Sequence, residues 1–207
     1  MSRHRSCAAV LMLVLAFAAL VAGCGADDIV TTPLPSTVPE RPPTPAQLAA
    51  IRSTPDAPVY WLGSRYRGHS LARAKLSAED PPDAIFQYGD PRCETGAGCT
   101  YPVGVATVRE RAPASEEACW RELGAALVLA CRGAEAVQIY TGRLEVFVRA
   151  ADGDPWRAVR ALRLKTATGD GRPAALAAPR PFSCDQLERF PDAFAAALPA
   201  VLRPTCG

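Results

Sequence analysis

Cysteine supplies most of the reactive chemistry in this chain, which has eight cysteines and only two histidines. Six of the cysteines come as Cys93 and Cys99, Cys119 and Cys131, and Cys184 and Cys206. Thiolates can hold zinc or iron–sulfur clusters, but such sites need C-x-x-C pairs or accompanying histidines, and these spacings supply neither. No metal and no cofactor is expected. An even number of cysteines outside the N-terminal region reads instead as three disulfides. Six cysteines allow fifteen pairings, and the three well-separated couples favour the local scheme Cys93–Cys99, Cys119–Cys131 and Cys184–Cys206. Each bridge would close a short loop, stabilising by about 2–3.5 kcal/mol.

Nucleophilic chemistry has less to work with. A serine-hydrolase triad needs an imidazole between a hydroxyl and a carboxylate, and His69 is the one candidate. Ser64 and Ser70 are close in sequence, yet no G-x-S-x-G elbow is present, so a turn or surface histidine accounts for His69. Glu79, Asp80, Asp83 and Asp90 fall together, but among Pro81, Pro82 and Pro91, where acids commonly mark turns. "ADGDPW" and "TGDGRP" lack the spaced oxygen ligands of a calcium loop; a hairpin turn and a helix cap explain them. No residue is therefore assigned as catalytic, and hydrolysis through His69 or a carboxylate pair is the alternative to a binding role. For binding, "PVYWLGSRYRGHSL" (58–71) is the most distinctive stretch. Its Tyr60, Trp61, Tyr66 and His69 could line a ligand groove, although strand packing would place the same residues.

Cys7 and Cys24 stand apart, at the two ends of the only long apolar run. Arg3, His4 and Arg5 precede it, and the run from Cys7 to Ala22 suits a signal sequence but is too short to span a bilayer comfortably. Leu20-Val21-Ala22-Gly23-Cys24 then resembles the bacterial lipobox. That resemblance implies cleavage before Cys24, a diacylglycerol thioether on its sulfur, and acylation, as with palmitate, of the new amino terminus. Two or more acyl chains anchor stably where one does not. The implied partner is the membrane, on its extracytoplasmic face, in an oxidising compartment that suits disulfides. The formal charge of +2 is carried by Arg3 and Arg5, since residues 1–23 contain no acid. The remaining chain is charge-balanced, which argues against a nucleic-acid partner.

These features divide the chain into a signal peptide (1–23), a tether with lipidated Cys24 (24–57) and an extracytoplasmic domain (58–207). The tether holds Pro33, Pro35, Pro39, Pro42, Pro43, Pro45 and Pro55, and such a composition cannot bury a core. Within it, Thr44, Pro45 and Gln47 predict a capped helix over 45–52 that could dock through Leu48 and Ile51.

In the domain, strands are expected at 59–63, 84–89 and 103–110, the last with Val103, Val105 and Thr107 on one face. Ser115 is expected to cap a helix that includes Cys119 and Trp120 and stops at Gly124. Strands near 126–131, 136–141 and 144–150 follow, the last two joined by a tight Gly142-Arg143 turn. Asp154 and Pro155 should start a helix to about Lys165, with Trp156, Val159 and Leu162 inward and Arg157, Arg160 and Arg163 outward. That arginine stripe could meet an anionic surface, though a solvated helix face is its ordinary role. Ser183 and Gln186 form a capping box ahead of a segment that Pro191 and Pro199 should break into two short pieces, with Leu187, Phe190, Phe194 and Leu198 facing a core. The expected fold class is α+β: an antiparallel sheet with helices packed on one side, stapled by disulfides and preceded by a disordered tether.

"PVYWLGSRYRGHSL", "FQYGD" and "IYTGRLEVFV" together resemble a group of uncharacterised lipoproteins from high-GC bacteria, over about residues 58–165. The resemblance implies a shared extracytoplasmic domain and brings no activity with it. A non-enzymatic lipoprotein with a binding or interaction domain, acting on an envelope partner or ligand, is the expected function. A two-lobed solute receptor would need more than the roughly 150 residues left for the domain.

Overall fold

The computed structural model describes residues 42–54, 57–76, 83–94, 98–109, 119–131, 133–151, 153–166 and 171–206. The chain separates into two units, Met1–Pro39 and Glu40–Gly207. The first unit, with the expected signal peptide, Cys24 and much of the tether, lies outside the described residues.

The second unit begins with helix α1 (Pro45–Ala50), β1 (Tyr60–Trp61), β2 (Arg65–Tyr66), β3 (His69–Leu76) and β4 (Ala84–Tyr88). It continues through β5 (Arg92–Glu94), β6 (Gly98–Thr100), β7 (Val103–Arg109), β8 (Trp120–Leu123), β9 (Ala126–Leu129), β10 (Ala136–Thr141) and β11 (Leu144–Ala150). Helix α2 (Pro155–Arg160), β12 (Arg163–Leu164), β13 (Arg172–Pro173), α3 (Cys184–Leu187), α4 (Asp192–Ala197) and a 3₁₀ turn (Ala200–Leu202) complete it. Eight strands form one sheet in the order β2-β3-β4-β7-β11-β10-β9-β8, with every neighbouring pair antiparallel. A smaller sheet runs β1-β12-β13, and β5 pairs with β6. This is an antiparallel α+β fold, stapled by the three local disulfides Cys93–Cys99, Cys119–Cys131 and Cys184–Cys206.

Alternation along the central strands builds the core. Across β4, β7, β11 and β10, Phe86 lies beside Val105, Val105 beside Val148, and Val148 beside Val137. A second rank aligns Ala84, Thr107, Val146, Ile139 and Val128. All nine are buried, and each large apolar member contributes about 1.5–3 kcal/mol by leaving water. Trp61, Leu62, Ala158, Val159 and Leu162 pack onto this face from β1, α2 and the segment after it. Strand residues of the other parity, Leu127, Leu129 and Tyr140, meet a separate cluster: Phe182, Phe190, Phe194, Leu198 and Leu202 from the C-terminal segment. Rings there run in series, with centroids 5.3 Å apart for Trp120–Tyr140, 6.0 Å for Tyr140–Phe182, and 5.0 Å for both Phe182–Phe190 and Phe190–Phe194. These are favourable aromatic separations. The Ser183–Gln186 capping box forms, and Pro191 separates α3 from α4 as its missing N–H requires.

Two expected helices give way to strands. Trp120–Leu123, expected as the end of a helix capped by Ser115, is strand β8; Ser115, Glu116 and Glu117 lie outside the described residues. The Gly124-Ala125 turn folds β8 back on β9, so Trp120 opposes Leu129, and the Ala130 N–H donates to the Cys119 carbonyl at 3.1 Å beside the Cys119–Cys131 bridge. Non-local pairing overrides a helical cap signal here. Helix α2 likewise stops at Arg160 instead of continuing to Lys165. The next residues fill the edge of β1: Leu164 pairs with Tyr60, and the Lys165 N–H donates to the Val59 carbonyl at 2.8 Å. An uncovered strand edge would leave those backbone groups unpaired. Gly171 lets β13 close on this edge; its φ is +75° and a side chain there would run into the Leu164 carbonyl.

Strand β3 carries no clear signal of its own. "HSLARAKL" is rich in helix-forming residues, and a bulge between Leu71 and Arg73 disturbs its alternation. The described part of the tether also packs. Thr44 and Gln47 close the expected capping box on α1, Ile51 is 3 % exposed in the core, and Leu48 packs against it. The Ser53 N–H then donates to the Lys165 carbonyl at 2.9 Å, so this segment extends the edge beyond β12.

Candidate functional site

Tyr60 and Trp61 are consecutive on a strand, so their side chains leave opposite faces. Both are 2 % exposed. Trp61 packs 5.7 Å from Phe86, and the buried Lys165 ammonium stands 4.8 Å from its ring centroid. Tyr66 and His69 oppose one another across the β2–β3 hairpin, whose turn holds Arg67 at φ 49°. Partial burial raises the Tyr66 hydroxyl pKa, while Arg67, Arg157 and Arg160 pull it down and Asp154 pushes it up. The His69 ring lies against Gly89, where an added Cβ would come within 2.6 Å of Nδ1. Tyr60 and Trp61 thus belong to one buried cluster with Tyr66 packed against it, and His69 faces Tyr66 across the hairpin.

The residues weighed for hydrolysis are also placed. Ser70 follows His69 directly on β3 and is exposed, so the two side chains diverge. Asp83 is buried just before β4 and Asp90 is exposed; Glu79 and Asp80 lie outside the described residues. Among the described residues, no group of three or more His, Cys, Asp or Glu gathers as metal ligands. Arg157, Arg160 and Arg163 are exposed, with Arg160 3.8 Å from Asp154. Asp154 caps α2, accepting from the Trp156 N–H at 3.0 Å.

Among the described residues, the largest of three cavities lies at the β10–β11 turn. Gly142 has φ +58° while Arg143 keeps a negative φ, the pattern of a two-residue type II′ hairpin. Residues 177–180 clamp this turn. The Gly142 N–H donates to the Ala178 carbonyl at 3.1 Å, and the Arg180 N–H donates to the Gly142 carbonyl at 2.6 Å. The Thr141 hydroxyl donates to the Ala177 carbonyl at 3.1 Å and accepts from the Ala177 N–H at 2.8 Å. Beside this clamp is a cavity of about 450 Å³, within the range of small-molecule sites. Pro58, Tyr60, Leu144, Arg143 and Arg180 are among its lining residues. The Tyr60 hydroxyl bonds to the Thr141 side chain; burial raises its pKa and that bond partly offsets the rise.

Two other cavities are smaller and carry their own counter-charges. One of about 340 Å³ is lined by Arg121, Glu135, Asp154 and Trp156 among others. The other, of about 260 Å³, includes Arg149 and Glu135, whose side chains pair at 3.3 Å.

Sequence reasoning reached Tyr60 and the Gly142-Arg143 turn and missed Thr141, Leu144 and Arg180 as cavity residues. Arg180 sits in an irregular Ala- and Pro-rich stretch, where neither period two nor period 3.6 marks it. No family model matches the chain, and no curated protein or solved structure shows significant similarity to it. Among the described residues, no helix is long and apolar enough to cross a membrane.

Proposed function

We propose that this protein is an envelope lipoprotein: a non-enzymatic binding domain held at the extracytoplasmic face of the cell membrane by diacylglycerol on Cys24. The observation that carries the address is Leu20-Val21-Ala22-Gly23-Cys24 at the end of the apolar run. Three disulfides closing separations of 6, 12 and 22 residues support it, because such staples persist outside the reducing cytosol. The same group of lipoproteins from high-GC bacteria is the proposed family. A cavity with cationic and hydroxyl side chains, and a His69 whose nearest serine on the strand faces away, support binding over hydrolysis.

Metabolic labelling with a fatty-acid probe tests the address. Wild type should carry the label, and Cys24→Ala should lose it and accumulate as precursor or shed protein. Equal label on both would overturn the reading.

A further inference from the structure

The cavity beside the β10–β11 turn has a composition that selects its ligand. Two arginines, Arg143 from the turn and Arg180 from the clamping segment, line a cavity whose eight lining residues include no carboxylate. Both arginines are exposed, and among the described residues neither side chain has a hydrogen-bond or ion-pair partner. Arg149 pairs with Glu135, Arg160 lies near Asp154 and Arg203 donates to the Leu198 and Ala196 carbonyls, whereas Arg143 and Arg180 line one cavity together.

Position is fixed before any ligand arrives. The Gly142–Ala178 and Arg180–Gly142 backbone bonds hold the two arginine backbones in register. The Thr141–Ala177 pair of bonds anchors the strand behind them. A pre-ordered frame lowers the entropy lost on binding. Pro58 and Leu144 add apolar wall, and Tyr60 lines the cavity with them.

We propose that this cavity binds the oxyanion group of a small organic molecule, a carboxylate or a phosphate, between Arg143 and Arg180. Planar guanidinium forks match both groups in bidentate geometry, which an ammonium cannot do. The carbon body of the ligand rests on Pro58 and Leu144. The inference deepens the binding reading of this domain and names the chemistry it recognises.

NMR titration of the purified full-length protein tests it, with inorganic phosphate and succinate as separate probes and sodium chloride at matched ionic strength as the control. The expected result is saturable movement of the Gly142, Arg143, Leu144 and Arg180 amides with one or both probes, at a Kd on the order of 1 mM for ligands this small. Response to succinate alone assigns a carboxylate, and response to phosphate alone assigns a phosphate ester. Arg143→Gln and Arg180→Gln, both at exposed positions, should each weaken binding about tenfold while amide shifts elsewhere stay in place. Shifts no larger than those with chloride, or unchanged affinity in both variants, would overturn the proposal. The titration reads amides of the folded domain and the labelling reads Cys24, so a failed label at Cys24 removes the address alone, and a flat titration removes the site alone.

Discussion

Replacing Ile51 by alanine should destabilise the domain by about 3 kcal/mol. Ile51 follows α1, is 3 % exposed, and belongs to the same core as Val59, Trp61 and Val159. The substitution removes three carbons, at about 0.8 kcal/mol each for transfer, and leaves a cavity that adds to the loss. Ile51 is pinned from its C-terminal side, where Ser53 Oγ accepts from the Val59 N–H at 2.9 Å and donates to the Val59 carbonyl at 3.1 Å. Those bonds restrain the backbone, so the site has little freedom to collapse. For a domain of this size, about 3 kcal/mol corresponds to a fall in Tm of about 6–12 °C. Urea denaturation followed by far-ultraviolet circular dichroism measures it, with Leu48→Ala as the graded companion. Leu48 is only partly buried and should cost less than Ile51. A change below about 0.5 kcal/mol for Ile51→Ala, the size of an ordinary surface substitution, would refute the reasoning and return 42–54 to the tether.

Further outcomes follow from the staples and the buried tyrosine. Replacing both Cys184 and Cys206 by alanine opens a separation of 22 residues, and by loop-closure entropy should cost about 3.4 kcal/mol. Calorimetry under non-reducing conditions checks this, and a loss under about 1 kcal/mol would show the tail cluster needs no staple. Tyr60 has its pKa raised above the ordinary 10.0 by burial, so the folded state keeps a proton that the unfolded state releases. Its stabilising contribution is complete below pH 10.0 and is lost as pH rises through the folded value. Tyr60→Phe should therefore flatten the decline in stability above about pH 10 while costing about 1 kcal/mol at neutral pH for the lost bond to Thr141. Parallel alkaline profiles for wild type and variant would contradict this.

Local chemistry was legible in the sequence wherever a few adjacent residues decide the outcome. The Thr44 and Ser183 capping boxes, the Asp154 cap, the Gly142-Arg143 turn and the break at Pro191 all depend on groups within four residues. The three disulfides join nearest cysteines, so short loop closure favoured the pairing that forms. Strands β4 and β7 bury one face each, and β10 and β11 alternate over part of their length, which period two exposes in any sequence.

Other features came only from tertiary structure, because their stabilising partners are far away in the chain. Arg163–Leu164 is a strand because β1, a hundred residues earlier, has an edge to fill. Trp120–Leu123 is a strand because β9 and the Cys119–Cys131 bridge hold it there. Ile51 belongs to the core because residues 53, 59 and 165 tie its segment down. Arg180 meets Arg143 through the backbone clamp at Gly142, which leaves no mark in side-chain pattern. Periodicity records which face of an element is buried, but it does not record which distant backbone satisfies that element's hydrogen bonds. The sequence therefore determined the caps, turns, staples and central strands, and long-range pairing alone decided the edges and the cavity.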